Sequence, residues 1–337
     1  GGKHVIFLPE SNPGTPPMTD APWSLLPAAS TNAQALDELY IFFWILCAIG
    51  LLAAIGAQIY LMIKYKKPAN GHRRTSPLTH NGKLEFWWSA IPTVGFVVLF
   101  AWGEIDYMKQ VTPPPDAIDV RITGQKWFWT VDYPAVPGAQ LNNELIVPVG
   151  VPMRLTMTST DVIHSFFIPV FRLKKDVVPG RYTVMWFEAT KEGEYPLFCA
   201  EYCGDQHSSM IGRVLVVSAD KYEEILRERS KLEFDPKKGD KTMADFGARI
   251  YERKGCNSCH SLDGTTKTGP TWKGAYGRTE AITGGGSVVV DDNYIRDSIL
   301  EPNKQVVQGF APQMPSFAGQ LNPEQITALI EFIKAQK

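Results

Sequence analysis

Residues 39–63 read LYIFFWILCAIGLLAAIGAQIYLMI, 25 residues without a charge and with a single amide, Gln58. As a helix this run would be roughly 37 Å long, enough to cross a bilayer core with some tilt. A core helix of that length would show a polar face, and this run has none. Tyr40 and Tyr60 stand near its ends, where interfacial aromatics collect. A second run, Phe86 to Trp102, is shorter, contains Pro92 and is bracketed by Glu85 and Glu104. A proline inside a helix is a site for a kink. The expectation is a two-helix transmembrane hairpin over 39–110, with helices at about 39–63 and 84–107.

The connection between the runs fixes the orientation. Residues 64–83 hold Lys64, Lys66, Lys67, Arg73, Arg74 and Lys83 and no acid, whereas residues 1–38 hold only Lys3. By the positive-inside rule the short connection is cytoplasmic. Residues 1–38 then form an extracytoplasmic segment, and everything after the hairpin lies outside, in the periplasm or its equivalent, at a bacterial cell (inner) membrane. Residues 1–38 show no intact secretory signal, and the chain starts at Gly1 without an initiator methionine, which suggests processing or trimming. The net charge of −1 gives no support to nucleic-acid binding.

After the stiff VTPPPDAID come β-type segments at short spacing: DVRITGQKWFWTVDY, NELIVPVGVPMRLTMTST, RYTVMWFEAT and MIGRVLVVS. Glycine and proline punctuate them, so 111–219 reads as an antiparallel β-sandwich. Residues 220–240 are dense in mixed charge and read as a linker helix. Residues 241–337 read as a small helical domain, ending in a run with Ile326, Leu329, Ile330 and Ile333 on one face.

Five cysteines occur: Cys47 in the first apolar run, and the pairs Cys199/Cys203 and Cys256/Cys259. Residues 256–260, CNSCH, have the C-x-x-C-H spacing of c-type haem attachment. Two thiols add to the haem vinyl groups and the adjacent imidazole of His260 reaches the iron. Beyond His260 there is no other histidine and one methionine, Met314, which makes it the expected second axial ligand. A thioether opposite histidine raises the haem potential and suits electron transfer.

The other pair lies in FCAEYCGDQHSSM, residues 198–210. A disulfide, a zinc site, a redox dithiol and a copper site all fit two cysteines outside the cytoplasm. His164 and His207 are the histidines between residues 108 and 259, enough for a Cys2His2 zinc site. Met210 is a poor zinc ligand and a good copper ligand. A mononuclear blue-copper site needs one cysteine, so the second is surplus unless the two thiolates bridge a pair of ions.

HSFFIPVFRLKKDVVPGR (164–181) together with CAEYCGDQHSSM (199–210) closely resembles the dinuclear copper (CuA) domain of cytochrome c oxidase subunit II. The resemblance extends over the hairpin to about residue 219, and the appended haem domain resembles the caa-type haem–copper oxidases. It implies a cupredoxin-like sandwich over 111–219 and an all-α class I cytochrome c domain over 241–337. It implies copper ligands His164, Cys199, Cys203, His207 and Met210, with Glu201 contributing its backbone carbonyl. The Glu201 carboxylate would face magnesium at the boundary with the catalytic subunit, and Asp176 lies in the matching neighbourhood.

Two further residues take roles from the same resemblance. Trp127 resembles the family's electron-accepting tryptophan; the alternative is a core or rim aromatic. Glu85 matches an acid at the cytoplasmic mouth of a proton channel in subunit I; the alternative is a helix-start glutamate favoured by the macrodipole. No catalytic residue is expected in the chain itself. Electrons would pass from an external donor, a cytochrome c or an iron–sulfur protein, through haem c and CuA to the haem–copper subunit that reduces dioxygen to water in a proton-pumping terminal oxidase. The alternatives are the electron-input subunit of a CuA-containing nitric oxide reductase and a periplasmic copper-binding module.

Overall fold

The computed structural model describes residues 26–67, 69, 71 and 76–337. The expectations for residues 1–25, for Arg73 and for Arg74 lie outside the described residues. Helix α1 spans Thr31–Lys64 and α2 spans Gly82–Val111. Both exceed the apolar runs, because the flanking polar residues supply their caps. Ser30 accepts from the Ala33 N–H at the start of α1. At the start of α2, Asn81 accepts from the Leu84 N–H at 3.2 Å while the Glu85 carboxylate accepts from the Asn81 N–H at 3.0 Å. Helix α2 continues through Pro92.

The helices touch each other, Phe42 against Trp102 with ring centroids 5.4 Å apart, but most of their apolar surface has no protein cover. Leu52 is 70% exposed and Phe100 72%. Both helices are long and apolar enough to cross a membrane. With their faces bare of protein, they form a membrane anchor rather than a soluble core.

The sandwich holds β1 (Ile118–Gln125), β2 (Phe128–Asp132), β3 (Gln140–Asn142), β4 (Glu144–Pro148), β5 (Pro152–Ser159), β6 (His164–Ile168), β7 (Leu173–Val177), β8 (Thr183–Glu188), β9 (Gly193–Cys199) and β10 (Ile211–Val217). One sheet has the order β3-β2-β1-β5-β8, the other β4-β10-β9-β6-β7. The expectation of a purely antiparallel sandwich is corrected here: β1 pairs with β5, and β4 with β10, in parallel. Strand β4 is buried at all five positions, as suits a parallel strand covered on both faces. Trp129, Phe166, Phe171 and Phe187 fill the space between the sheets.

The membrane helices are bolted to this sandwich. Arg172 pairs with Asp37 of α1 at 3.0 Å, and the Trp186 indole donates to the Lys109 carbonyl of α2 at 2.9 Å. Helix α3 (Tyr222–Ser230) lies against the sandwich through Tyr222 and Leu226.

The C-terminal domain packs α4 (Met243–Arg253) across α6 (Pro323–Ala335), with α5 (Asp292–Leu300) beside them. Capping boxes start α4 (Thr242 with Asp245) and α6 (Asn322 with Gln325). The expected face of Ile326, Leu329, Ile330 and Ile333 is buried. A short hairpin, β11 (Thr279–Ala281) and β12 (Ser287–Val289), turns at Gly284, Gly285 and Gly286, all at positive φ. At the α4–α6 crossing a Cβ on Gly247 would lie 2.1 Å from the Ala328 carbonyl oxygen.

Gly247→Ala is therefore expected to destabilise the C-terminal domain by about 3 kcal/mol, measured by denaturant unfolding followed at the haem absorbance. Asp240 is buried and bonded to Arg249, with Nε to Oδ1 at 2.7 Å. Burial pushes the Asp240 carboxyl up, but the Arg249 hydrogen bonds outweigh it and hold the carboxyl below its ordinary value. A depressed folded pKa contributes stability that is present above the unfolded carboxylate pKa and is lost as pH falls through the folded value. Asp240→Asn is expected to cost about 2 kcal/mol at neutral pH, with the gap to the parent closing below about pH 4.

Candidate metal and haem centres

The β9–β10 ladder gathers the first cluster. Cys199 ends β9, Met210 immediately precedes β10, and the Cys199 N–H donates to the Met210 carbonyl at 3.3 Å. The intervening residues form a closed loop that returns Cys203 and His207 over Cys199. His164 opens β6, whose Phe166 pairs with Cys199. The two sulfurs lie 3.8 Å apart, far beyond a disulfide bond of about 2.05 Å.

Each sulfur has its own histidine. His164 Nδ1 is 4.0 Å from Cys199 Sγ, and His207 Nδ1 is 3.5 Å from Cys203 Sγ. The Met210 sulfur is 3.8 Å from Cys203 Sγ, and the Glu201 carbonyl oxygen is 3.2 Å from Cys199 Sγ. Six donors thus surround one small volume, more than the four a tetrahedral zinc uses. The set is sulfur-rich and divides into two halves sharing the thiols, which fits a pair of copper ions.

His164 is fully buried, and Cys199, Cys203 and Met210 are nearly so. Burial pushes both thiols up. At Cys199 hydrogen bonds from His164 and the Ser165 N–H outweigh burial and bring the pKa to about 7. At Cys203 burial and the neighbouring Cys199 charge act together and push it up to about 12. One thiol of the metal-free cluster is thus poised to ionise first.

The second cluster forms where α4 ends. Gly255, at φ +74, turns the chain into a short 3-10 segment, Cys256–Ser258, and His260 donates its N–H back to the Cys256 carbonyl at 2.9 Å. His260 Nδ1 is 2.8 Å from the Pro270 carbonyl, so Nδ1–H donates there and Nε2 is left free to bind a metal. Gly269 makes room for this: a Cβ would fall 2.6 Å from the imidazole. A cavity runs past Cys259, His260, Trp272, Val307, Phe310 and Met314, mostly apolar walls with an imidazole and a thioether, which fits a haem. Burial pushes the Cys256 thiol up to about 12 and the Cys259 thiol up to about 11, so both are neutral thiols before attachment.

Trp127 joins the clusters. Its indole N–H donates to the Cys203 carbonyl at 3.2 Å, and the same residue lines the cavity beside His260 and Met314. It is 3% exposed. The next residue, Phe128, packs on Gly255, and Cys259 packs against the sandwich core. The remaining expected residues sit apart or at the edge. Asp176 accepts from the Ser165 hydroxyl at 2.8 Å, and the Ser165 carbonyl accepts from the Ala200 N–H beside Glu201, so Asp176 and Glu201 share a neighbourhood. Glu85 stands near the far end of α2, about 36 Å along the helix from Lys109.

Sequence reasoning missed Asp161, whose carboxylate lies 2.8 Å from His164 Nε2, and the carbonyl of Pro270. An acid three residues before a ligand histidine, and the Gly-Pro ten residues beyond the haem motif, are the signals that point to them.

Comparison with known proteins agrees with this geometry. The family described as "Cytochrome C oxidase subunit II, periplasmic domain" matches residues 135–218, and the family "Cytochrome c" matches residues 244–337. Cytochrome c oxidase subunit 2 of Alkalihalophilus pseudofirmus is 26% identical over 319 residues, covering 91% of this chain and 88% of its own length. Alternative cytochrome c oxidase subunit 2 of Bradyrhizobium diazoefficiens is 29% identical, covering 62% of this chain and 85% of its own length. Among solved structures, the periplasmic domain of subunit II of cytochrome oxidase of Bradyrhizobium japonicum aligns at 29% identity and a TM-score of 0.33, over 35% of this chain and 96% of its own. The chain thus carries a cytochrome c oxidase subunit II periplasmic domain followed by a cytochrome c domain.

Proposed function

We propose that this chain is the electron-input arm of a proton-pumping terminal oxidase, taking electrons from an external donor at its cytochrome domain and delivering them through its copper domain to a haem–copper partner that reduces dioxygen to water. A haem c and a dinuclear copper centre, when bound, supply reversible one-electron chemistry. The observation that carries this reading is Trp127, nearly buried between the Cys203 carbonyl and the cavity lined by His260 and Met314.

In this reading Cys256 and Cys259 would tether the haem, and His260 and Met314 would hold its iron. Pro270 and Gly269 fix the imidazole, so its position does not depend on the oxidation state of what it binds. His164, Cys199, Cys203, His207 and Met210, with the Glu201 carbonyl, hold the copper pair. The β9–β10 ladder and the buried walls keep these donors in place, which limits the atomic movement that accompanies each electron. Because the fused domain covers Trp127, an external donor meets the cytochrome domain first, and Trp127 serves transfer within the chain.

The flanking parts take their roles from the same reading. The basic connection Lys64–Lys83 faces the cytoplasm, and both metal-binding domains and the termini face outward. Glu201 is exposed beside Tyr202, itself 72% exposed, and in this reading would face the catalytic partner and bind magnesium there with Asp176 nearby. Glu85 caps α2 and would serve proton uptake by that partner from the cytoplasmic side.

Trp127→Phe keeps the ring and removes the N–H. It is expected to slow haem-to-copper transfer within the chain by about tenfold, equivalent to about 1.4 kcal/mol in the barrier, with both midpoint potentials unchanged in flash-initiated kinetics and redox titration. An unaltered rate would count against the tryptophan route. Met314→Ala is expected to lower the haem potential and change its visible spectrum, because the thioether that favours ferrous iron is gone. Redox titration of the intact chain checks this.

A further inference from the structure

The Asp161 carboxylate is placed where it touches both halves of the electron route. Oδ1 lies 2.8 Å from His164 Nε2 and accepts from the Val162 N–H at 2.6 Å and the Ser159 hydroxyl at 3.3 Å. Oδ2 accepts from the Lys126 N–H at 2.7 Å, the amide just before Trp127. The His164 ring it meets has little freedom. Trp129 meets it edge-on at 5.8 Å, and a Cβ on Gly124 would fall 3.1 Å from it. With Nε2–H committed to Asp161, Nδ1 is the ring nitrogen left facing Cys199. His207 is held differently: its ring meets Tyr202 at 5.7 Å, and among the described residues it has no carboxylate partner.

We infer that Asp161 is a positioning residue that makes the two histidines of the copper pair unequal, anchoring His164 and favouring the oxidised centre while the same carboxylate holds the strand turn that carries Trp127. This rests on the copper reading above. A carboxylate on the far nitrogen of a ligand imidazole fixes its tautomer and makes the near nitrogen a stronger donor. A stronger donor on one ion stabilises the higher oxidation state and lowers the midpoint potential. Loss of such a partner weakens metal retention roughly 10- to 100-fold.

The test uses the full-length chain loaded with copper and haem. Asp161→Asn keeps the shape and one acceptor, the oxygen facing the Lys126 N–H, and removes both the charge and the acceptor facing His164. It is expected to shift the preference for the oxidised centre by about tenfold, a rise of about 59 mV for a one-electron couple. It is also expected to release copper to a chelator at about tenfold lower concentration. The haem c potential, set at His260 and Met314, serves as the internal reference and stays put. Asp161→Glu keeps the carboxylate and is expected to hold the potential near that of the parent. A copper potential and retention in Asp161→Asn equal to the parent would overturn the inference. So would an Asp161→Glu copper potential displaced from the parent by about 59 mV or more, a comparison that needs only the parent and the glutamate variant and decides the matter if the asparagine variant does not accumulate. Failure of the copper reading looks different: the parent chain itself would show no mixed-valence electron-paramagnetic-resonance signal, and both proposals would fall.

Discussion

The hydrogen bond from the Cys199 N–H to the Met210 carbonyl closes the loop on which the metal chemistry depends. It extends the β9–β10 ladder to the two ends of the ligand segment, so the loop's conformational entropy is lost once, on folding, and not again when a metal arrives. Two thiols at 3.8 Å are then kept close without being joined. That spacing is unfavourable if both thiols ionise, since one thiolate disfavours the other. The separation of about 7 for Cys199 from about 12 for Cys203 expresses that conflict in the metal-free chain. Bound cations remove the conflict, because their charge stabilises both thiolates together.

A second constraint sits where the domains meet. Phe128 rests on Gly255, the residue that turns α4 into the C-x-x-C-H segment. The positive φ of Gly255 favours glycine, and the missing side chain leaves a seat for the phenyl ring. The adjacent Trp127 forms part of the cavity wall beside His260 and Met314. Around the rim, Glu144 of β4 lies 2.9 Å from an Arg213 nitrogen and 3.6 Å from an Arg229 nitrogen of α3. It is also the nearby charge that favours the cationic form of Arg253 at the end of α4 against burial. One carboxylate thus pairs the sandwich with the linker helix, and the end of α4 lies within range of its charge.

Much of this was legible in the chain before any fold was described, and the reasons differ by element. The membrane runs announce themselves because lipid demands a long uncharged helix. The C-x-x-C-H motif is legible because haem attachment is local in sequence. The final helix is legible because its buried face has a strict period. The β segments read from the sequence leave out β3, β6, β7 and β9 and give no sign of the parallel pairings of β1 with β5 and of β4 with β10. Parallel pairing is a long-range choice that leaves no local turn signature. Asp161 was missed for a related reason: a carboxylate near a histidine is common, and only the tertiary placement of Lys126 beside it gives it a double task. Trp127 was legible only as a resemblance, since an indole between two domains looks like any buried aromatic until both domains are in place.

The attachment to the membrane completes the physical logic. Helix α1 begins at a serine cap whose hydroxyl also bonds the Phe171 carbonyl of the sandwich, and Arg172, the next residue, pairs with Asp37. Helix α2 ends within reach of the Trp186 indole on β8, whose carbonyl in turn accepts from the Asn32 amide of α1. Both helices are therefore fastened to the same patch of sandwich, and a tilt of the hairpin must carry the sandwich with it. The exposed Glu201 and Tyr202 belong to the ligand loop of that same rigid body. Under the proposed function this loop would pass electrons to a membrane partner, and a fixed separation would matter because transfer weakens steeply with distance. Fastening both anchors to one face of the sandwich meets that requirement without a dedicated linker. On another side of the sandwich, α3 packs through Tyr222 and Leu226 and leads into the cytochrome domain, whose Gly255 meets Phe128.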